Sequence, residues 1–324
     1  MRRFLILGLV LTLFAATVHA QLAGTLRSVG SDTMRELMAR WVSEFTQAHP
    51  GVTFEIQAMG SGTAAEALIQ HQSNLAPMSR MMTPEEVEAF RQSHGYEPAR
   101  YRVALDALAL FVHADNPVRG LSMDQVDSIF SEDHGCHRGF FSDSGRIDDW
   151  SDVTFDRSGA IELYGRNRLS GTYDFFVETA LCNGQFKDGI VELEDSRSIV
   201  DAVAANPNAI GYAGIGYRTE GVRALALSPQ ASNFEGAYYS YYVEQYRDDQ
   251  NLERRYGWVV RGRYPLSRYL YIYTDEGSDH TDATVRAFME FVLSDTGQAL
   301  AHDSGFIPLP GRVLESERAL VEDG

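Results

Sequence analysis

Thr25-Leu26-Arg27-Ser28-Val29 runs into Gly30-Ser31-Asp32-Thr33, after which Leu37, Trp41 and Phe45 recur at every fourth position. An extended run, a loop of small polar residues and an apolar period near 3.6 read as strand, turn and helix. The same grammar returns twice. Val52 to Ala58 alternates as a strand does, Gly60-Ser61-Gly62-Thr63 follows, and Ala64, Ala67 and Leu68 give the helix face. Ala160 to Tyr164 is a third extended run, followed by the loop Gly165 to Thr172 and by Phe176, Val177 and Ala180. Repeated strand–loop–helix units predict an α/β fold whose loops lie at the carboxyl ends of the strands, where open sheets bind ligands.

Other helix starts carry their own caps. Thr83-Pro84-Glu85-Glu86 is a capping box with proline at the first helical position, and Ser122-Met123-Asp124-Gln125 is a second box. Ala209 to Tyr217 reads as a Gly-studded strand after the Asn206-Pro207 turn, Tyr269 to Tyr273 as another strand, and Thr284 to Leu293 as a helix. Two stretches break the rhythm. Glu132 to Asp149 is polar and Gly-rich, and Ser228 to Gly257 carries Tyr238-Tyr239-Ser240-Tyr241-Tyr242. The tyrosine run reads either as one face of a hairpin or as a docking patch, since aromatics are favoured at interfaces.

The first twenty residues predict export. Arg2 and Arg3 precede the apolar stretch Phe4 to Val18, and Val18-His19-Ala20 offers a small-x-small cleavage site before Gln21. No cysteine follows that site, so lipid attachment there is not expected, and no later stretch approaches the roughly 20 apolar residues that span a bilayer. The mature protein is expected free in the periplasm or secreted. Roughly 300 mature residues suggest two lobes rather than one core. The net charge is −17, and loss of Arg2 and Arg3 takes it to −19. A nucleic-acid partner is disfavoured, because a phosphate backbone needs a basic footprint. The two cysteines, Cys136 and Cys182, are expected to form one disulfide in an oxidising compartment. With only His134 and His137 nearby and no C-x-x-C frame, they do not suggest a metal site.

The three repeated loops carry the chemistry. Helix N-termini offer unpaired N–H groups at the favourable end of the dipole, and small residues let the backbone approach an oxyanion. Ser31, Thr33, Ser61, Thr63, Ser170 and Thr172 add rotatable hydroxyls, while Gly62 and Gly171 keep the loops open. Any one such loop is ordinary capping. Three together, with Arg166 four residues before Ser170, point to an anion. A guanidinium fork matches phosphate oxygens better than an ammonium does. Arg168 is expected to be solvated. Arg80, after Ser79, reads equally as a ligand contact and as a salt bridge at a cleft rim.

Gly30-Ser31-Asp32-Thr33, Gly60-Ser61-Gly62-Thr63, Ser79-Arg80 and Arg166 with Ser170-Gly171-Thr172 resemble the phosphate-binding proteins of high-affinity phosphate ABC transporters. Framework segments resemble the same family, among them Trp150-Ser151-Asp152-Val153, Tyr264-Pro265-Leu266-Ser267-Arg268 and Gly305-Phe306-Ile307-Pro308-Leu309. The resemblance covers nearly all of the mature chain. It implies a type II periplasmic-binding-protein fold of two α/β lobes, with the chain crossing between lobes near Phe111 and near Tyr264. Residues 21–111 and 264–324 would form one lobe, and 112–263 the other, with inserted loops at about 132–149 and 228–257. It further implies a monomer that binds hydrogen phosphate in the interlobe cleft, needs no cofactor, and delivers the anion to membrane permease subunits.

One position departs from the family's pattern. Many members have an Asp where this chain has Arg80, and that Asp accepts the proton of hydrogen phosphate. A carboxylate that can only accept welcomes phosphate and repels sulfate, which has no proton at neutral pH. Asp32, in a ligand loop, and Asp106, interrupting the apolar run Val103 to Leu108, are the candidates for this role. A buried Asp106 must have a partner. Three other readings stand beside transport: a phosphatase, a binder of sulfate, molybdate or a phosphonate, and a sensory binding protein. Hydrolysis would need an activated nucleophile or a metal pair. Ser31 beside Asp32 is the local candidate, and the nine histidines show no H-x-x-x-H or H-x-H spacing with nearby acids.

Overall fold

The computed structural model describes residues 22–134, 136, 145–228, 256–275 and 283–323. The expected signal segment 1–20, half of the loop 132–149 and nearly all of 228–257, including the tyrosine run, lie outside them. No helix among the described residues is long and apolar enough to cross a membrane.

Strands β1 (Gly24–Val29), β2 (Val52–Gln57) and β3 (Leu75–Met78) are joined by helices α1 (Arg35–Ala48) and α2 (Ser61–Ile69). β1 pairs in parallel with β2 and β3, which requires a crossover connection such as each of these helices provides. Leu37, Trp41 and Phe45 do face inward from α1 and pack with Leu26, Val52 and Phe288. Helix α3 (Pro84–His94) then leads to β4 (Ala99–His113). That strand has 15 residues, so it is about 50 Å long. Its first part, to Ala107, pairs with β11 (Ser267–Thr274), and from Leu108 onward it pairs with β8 (Ala209–Gly214).

The second half contains β5 (Gly120–Ser122), α4 (Met123–Phe130), β6 (Glu162–Arg166), α5 (Gly171–Ala180), β7 (Val191–Leu193) and α6 (Ser196–Ala205). After β8 come β9 (Val222–Ala224) on β4, β10 (Ala226–Ser228) on β5, and a single turn, α7 (Gly257–Val260). Its core gathers Phe130, Trp150, Phe176, Ile199 and Tyr212. The main sheet runs β2-β1-β3-β11-β4-β8-β6-β7. Three hydrophobic cores among the described residues pack against it, one around Tyr212 and two around Trp41 and Phe90, in keeping with the two-lobed architecture. Helices α8 (Ala283–Val292), α9 (Asp295–Asp303) and α10 (Gly311–Asp323) follow β11.

Two elements differ from the sequence expectation. The third strand lies two residues later, at Glu162–Arg166, because Gly165 and Arg166 pair with Glu192 and Leu193 of β7. Arg166 is therefore anchored on a strand end and not on a loop. The strand expected to run to Tyr217 stops at Gly214, and Ile215–Tyr217 forms a 3-10 turn. Both capping boxes form as read, with Thr83 accepting from Glu86 N and Ser122 from Gln125 N. Cys136 and Cys182 are disulfide-bonded, tying the segment after α4 to the end of α5.

Candidate anion-binding site

The loops that follow β1, β2, β3 and β6 converge between the lobes. Ser61 is the first residue of α2, so its hydroxyl cannot cap its own helix and turns across to β3's end instead. Ser61 Oγ accepts from Ser79 N at 3.0 Å and lies 3.2 Å from Ser79 Oγ. From the opposite lobe, Thr172 Oγ1 reaches 3.0 Å from Thr33 Oγ1, and Gly62 N donates to Leu169 O at 3.2 Å. Tyr217 Oη donates to Thr33 O at 3.2 Å. A Cβ on Gly171 would sit 2.7 Å from both Ser61 Cβ and Ser79 Oγ. Only glycine lets α5 begin so close to the facing loops.

Within this cluster α1 and α2 start without any side-chain cap, at Met34 and at Gly60, whose φ is 120°. Of their first N–H groups, Arg35 N donates to Asp32 O and Thr63 N to Gly60 O, both at 3.1 Å, while Gly62 N is taken by Leu169 O of the facing loop. Ser170 caps α5 through Thr172 N at 3.1 Å.

Four buried charges surround these donors. Arg166, 2% exposed, donates through Nη2 to Glu194 O at 2.6 Å and lies 2.5 Å from Asp32 Oδ2. That ion pair lacks hydrogen-bond geometry, and both Asp32 oxygens, Arg166 Nε and Ser31 Oγ are buried without a hydrogen-bond partner among the described residues. Asp106 is buried with the partner that burial requires: Arg268 donates to Asp106 Oδ2 from Nε at 3.0 Å and from Nη2 at 2.7 Å. Asp106 Oδ1 has no hydrogen-bond partner among the described residues. Arg268 Nη2 also donates to Thr172 Oγ1 at 2.8 Å. Two arginines and two aspartates cancel formally, so an entering anion meets aimed dipoles and orphaned donors rather than net positive charge. Burial also pushes the Tyr212 and Tyr217 phenols well above the ordinary tyrosine range, keeping both protonated beside the cluster.

Not every residue singled out in the sequence joins the cluster. Thr63 Oγ1 donates to Gly60 O at 2.8 Å, inside its own turn. The Arg80 guanidinium is spent elsewhere: Nε donates to Asp174 at 2.7 Å, and Nη1 and Nη2 donate to Glu86 at 2.7 and 2.9 Å. Burial opposes its charge, but Glu86 and Asp174 outweigh that and hold its pKa above the usual arginine value. Arg80 thus bridges α3 and α5 as a rim salt bridge. Arg168 is exposed, as read from the sequence. The residue the sequence reading passed over is Arg268, 6% exposed. Its signal was legible, since Arg268, Leu270 and Ile272 alternate onto one face of a strand.

Comparison with known proteins supplies the family. Residues 15–296 match the model of the PBP superfamily domain. Phosphate-binding protein PstS of Pseudomonas aeruginosa is 42% identical over 306 residues, covering 93% of this chain and 88% of that protein. Phosphate-binding protein PstS of Staphylococcus saprophyticus is 26% identical, over 93% of this chain and 85% of that protein. The crystal structure of an ABC-type phosphate transport receptor from Vibrio cholerae matches with TM-score 0.64 at 22% identity, over 88% of this chain and 100% of that one. A substrate-binding protein from Clostridium perfringens, solved with bound phosphate, matches with TM-score 0.69 at 21% identity, over 89% and 100% of the two chains. These structures share the two-lobed fold. The chain belongs to the PBP superfamily, within the family of PstS phosphate-binding proteins.

Proposed function

We propose that this chain is an exported, monomeric substrate-binding protein that closes its two lobes on hydrogen phosphate and presents it to the permease subunits of an ABC transporter. The observation that carries the reading is the group of orphaned buried polar atoms, Arg166 Nε, Ser31 Oγ and the Asp32 carboxylate, beside two uncapped helix starts. Buried polar groups without partners cost free energy, and a tetrahedral anion bearing one proton satisfies donors and an acceptor together. Relatives named for phosphate binding support the same ligand.

In this reading Ser31, Thr33, Ser61, Ser79, Ser170, Gly171 and Thr172 donate to the anion, and Arg166 supplies its cation. Gly62 and Thr63 shape the second loop. Residues 21–111 with 264–324 and residues 112–263 form the lobes, and closure excludes water so that each hydrogen bond strengthens. Of the two acceptor candidates Asp32 is favoured, because neither of its oxygens is hydrogen-bonded whereas Arg268 already takes Asp106 Oδ2 twice. No covalent step or cofactor enters.

Thermal unfolding with phosphate, sulfate and molybdate in turn tests the ligand. Phosphate at a hundred times its dissociation constant adds about 2.7 kcal/mol to the folded state. A melting temperature indifferent to all three anions would sink the proposal. Asp32→Asn should admit sulfate and weaken phosphate, with Asp106→Asn the smaller effect; normal discrimination in both variants removes the proton-acceptor role. A chromogenic phosphomonoester, with and without divalent metal, should not be turned over.

A further inference from the structure

Three side chains that no spacing rule connects meet at the ends of α2 and α3 remote from the anion loops. His71 follows α2, His94 is the last residue of α3, and Asp275 follows β11. Their ligand atoms all lie within 4.8 Å of one another. Asp275 Oδ2 is 3.8 Å from His71 Nδ1 and 3.7 Å from His94 Nε2, too far for hydrogen bonds. These separations are a few tenths of an ångström above the edge of about 3.4 Å that Zn–N and Zn–O bonds of roughly 2.0–2.1 Å give a tetrahedron.

The tautomer of His94 is fixed by its surroundings. Its Nδ1 lies 3.1 Å from Phe90 O, a carbonyl that only accepts, so Nδ1 carries a proton, and in the neutral ring Nε2 holds the lone pair. The His94 side chain is 1% exposed, it stacks on Phe90 at 3.9 Å, and Nε2 has no hydrogen-bond partner among the described residues. A buried lone pair aimed at a second imidazole and a carboxylate is what a metal ligand needs. Tyr96 Oη donates to Asp275 Oδ1 at 2.6 Å, orienting the carboxylate as outer groups do at metal centres. His71 holds φ at 55°, a left-handed conformation uncommon for histidine, which keeps its ring 4.3 Å from that of His94. Both histidines also stand at helix C-termini, where the carbonyl dipoles favour a cation.

We propose that His71, His94 and Asp275 form a zinc-type divalent metal site with an open fourth position, tying the ends of α2 and α3 to β11. Two imidazoles and one carboxylate select a borderline cation over calcium or magnesium, which take all-oxygen sets. The site stands independently of the ligand bound in the cleft.

The test uses tag-free protein stripped with chelator, titrated with Zn2+ by calorimetry and with Co2+ by visible absorption. The expected result is saturable, equimolar binding, cobalt d–d bands of low coordination number, and a melting temperature that rises with zinc. His71→Ala, at a side chain 65% exposed, should fold normally and lose more zinc affinity than the roughly 10–100-fold that removal of an outer group costs. His94→Gln and Asp275→Asn should do the same, Tyr96→Phe less, and phosphate affinity should stay unchanged in His71→Ala. No saturable zinc binding, as a plain His–Asp charge pair would give, overturns the site. So does zinc binding that survives intact in both His71→Ala and His94→Gln, which would locate it on other histidines.

Discussion

Two of the helices that begin at the cleft, α1 and α2, and the helices that begin elsewhere use the same residues to opposite ends. Away from the cleft, Ser122 caps α4 through Gln125 N and Ser294 caps α9 through Gly297 N. Each closes on its own donors. At the cleft, α5 and α6 are capped in the same way by Ser170 and Asp195. But α1 and α2 have no side-chain cap, and the hydroxyls of Thr33 and Ser61 point across to Thr172 and Ser79. The difference is one of position. A serine at the N-cap satisfies its helix, whereas a serine one residue later cannot, and a preceding glycine offers no side-chain cap. Donors left unpaired at a helix start are resources for a ligand.

The largest effect that could break this contrast is removal of Arg166. Arg166→Ala takes away the cation and leaves Asp32 a buried charge with no partner, a loss of about 3–5 kcal/mol. Phosphate affinity should fall at least about 100-fold by calorimetry. Arg166→Lys should recover only part, because an ammonium cannot reach Glu194 O, Asp32 and the anion together. Affinity within a few-fold of the parent protein would mean that the open helix ends do not serve an anion there.

Closure comes next. Gly171→Ala drives a Cβ against Ser61 and Ser79, which belong to the facing loops. Overpacking of this kind costs about 1–3 kcal/mol. Because the clash exists only when the lobes meet, phosphate affinity should drop roughly 10–100-fold while the melting temperature without ligand changes little. Equal loss in both measurements would show that Gly171 serves folding rather than closure.

The fold was legible where period and punctuation agreed. Leu37, Trp41 and Phe45, and the two capping boxes, are local signals, and local signals survive into the structure. Two kinds of information were not local. Pairing with β7 drew Gly165 and Arg166 onto a strand, which no property of residues 160–166 reveals. Arg268 and Asp106 meet because β11 runs antiparallel to β4, with Arg268 opposite Asp106 in register, although 162 positions separate them. His71, His94 and Asp275 escaped a search by spacing for the same reason. Arg80 was ambiguous for a different cause, since its charge suits an anion or two carboxylates equally, and only geometry assigns it to Glu86 and Asp174.

The smallest effects sharpen the contrast from its other side. Ser122→Ala removes a cap far from the cleft and should cost about 1 kcal/mol of stability, with phosphate affinity unchanged. Asp195→Ala should cost a similar amount and adds a pH signature. Although burial raises the Asp195 pKa, the Ser198 N–H and hydroxyl and the nearby Arg166 and Arg35 lower it more, leaving it below the ordinary carboxylate value. A depressed folded-state pKa means that its contribution is complete above the unfolded value of about 3.9 and fades as pH falls through the folded value. The gap in melting temperature between the parent protein and Asp195→Ala should therefore be widest near neutral pH and shrink below about pH 4. A gap that persists undiminished into acid would mean that Asp195 acts through packing, and the division into self-satisfied and open helix starts would lose one of its clearest members.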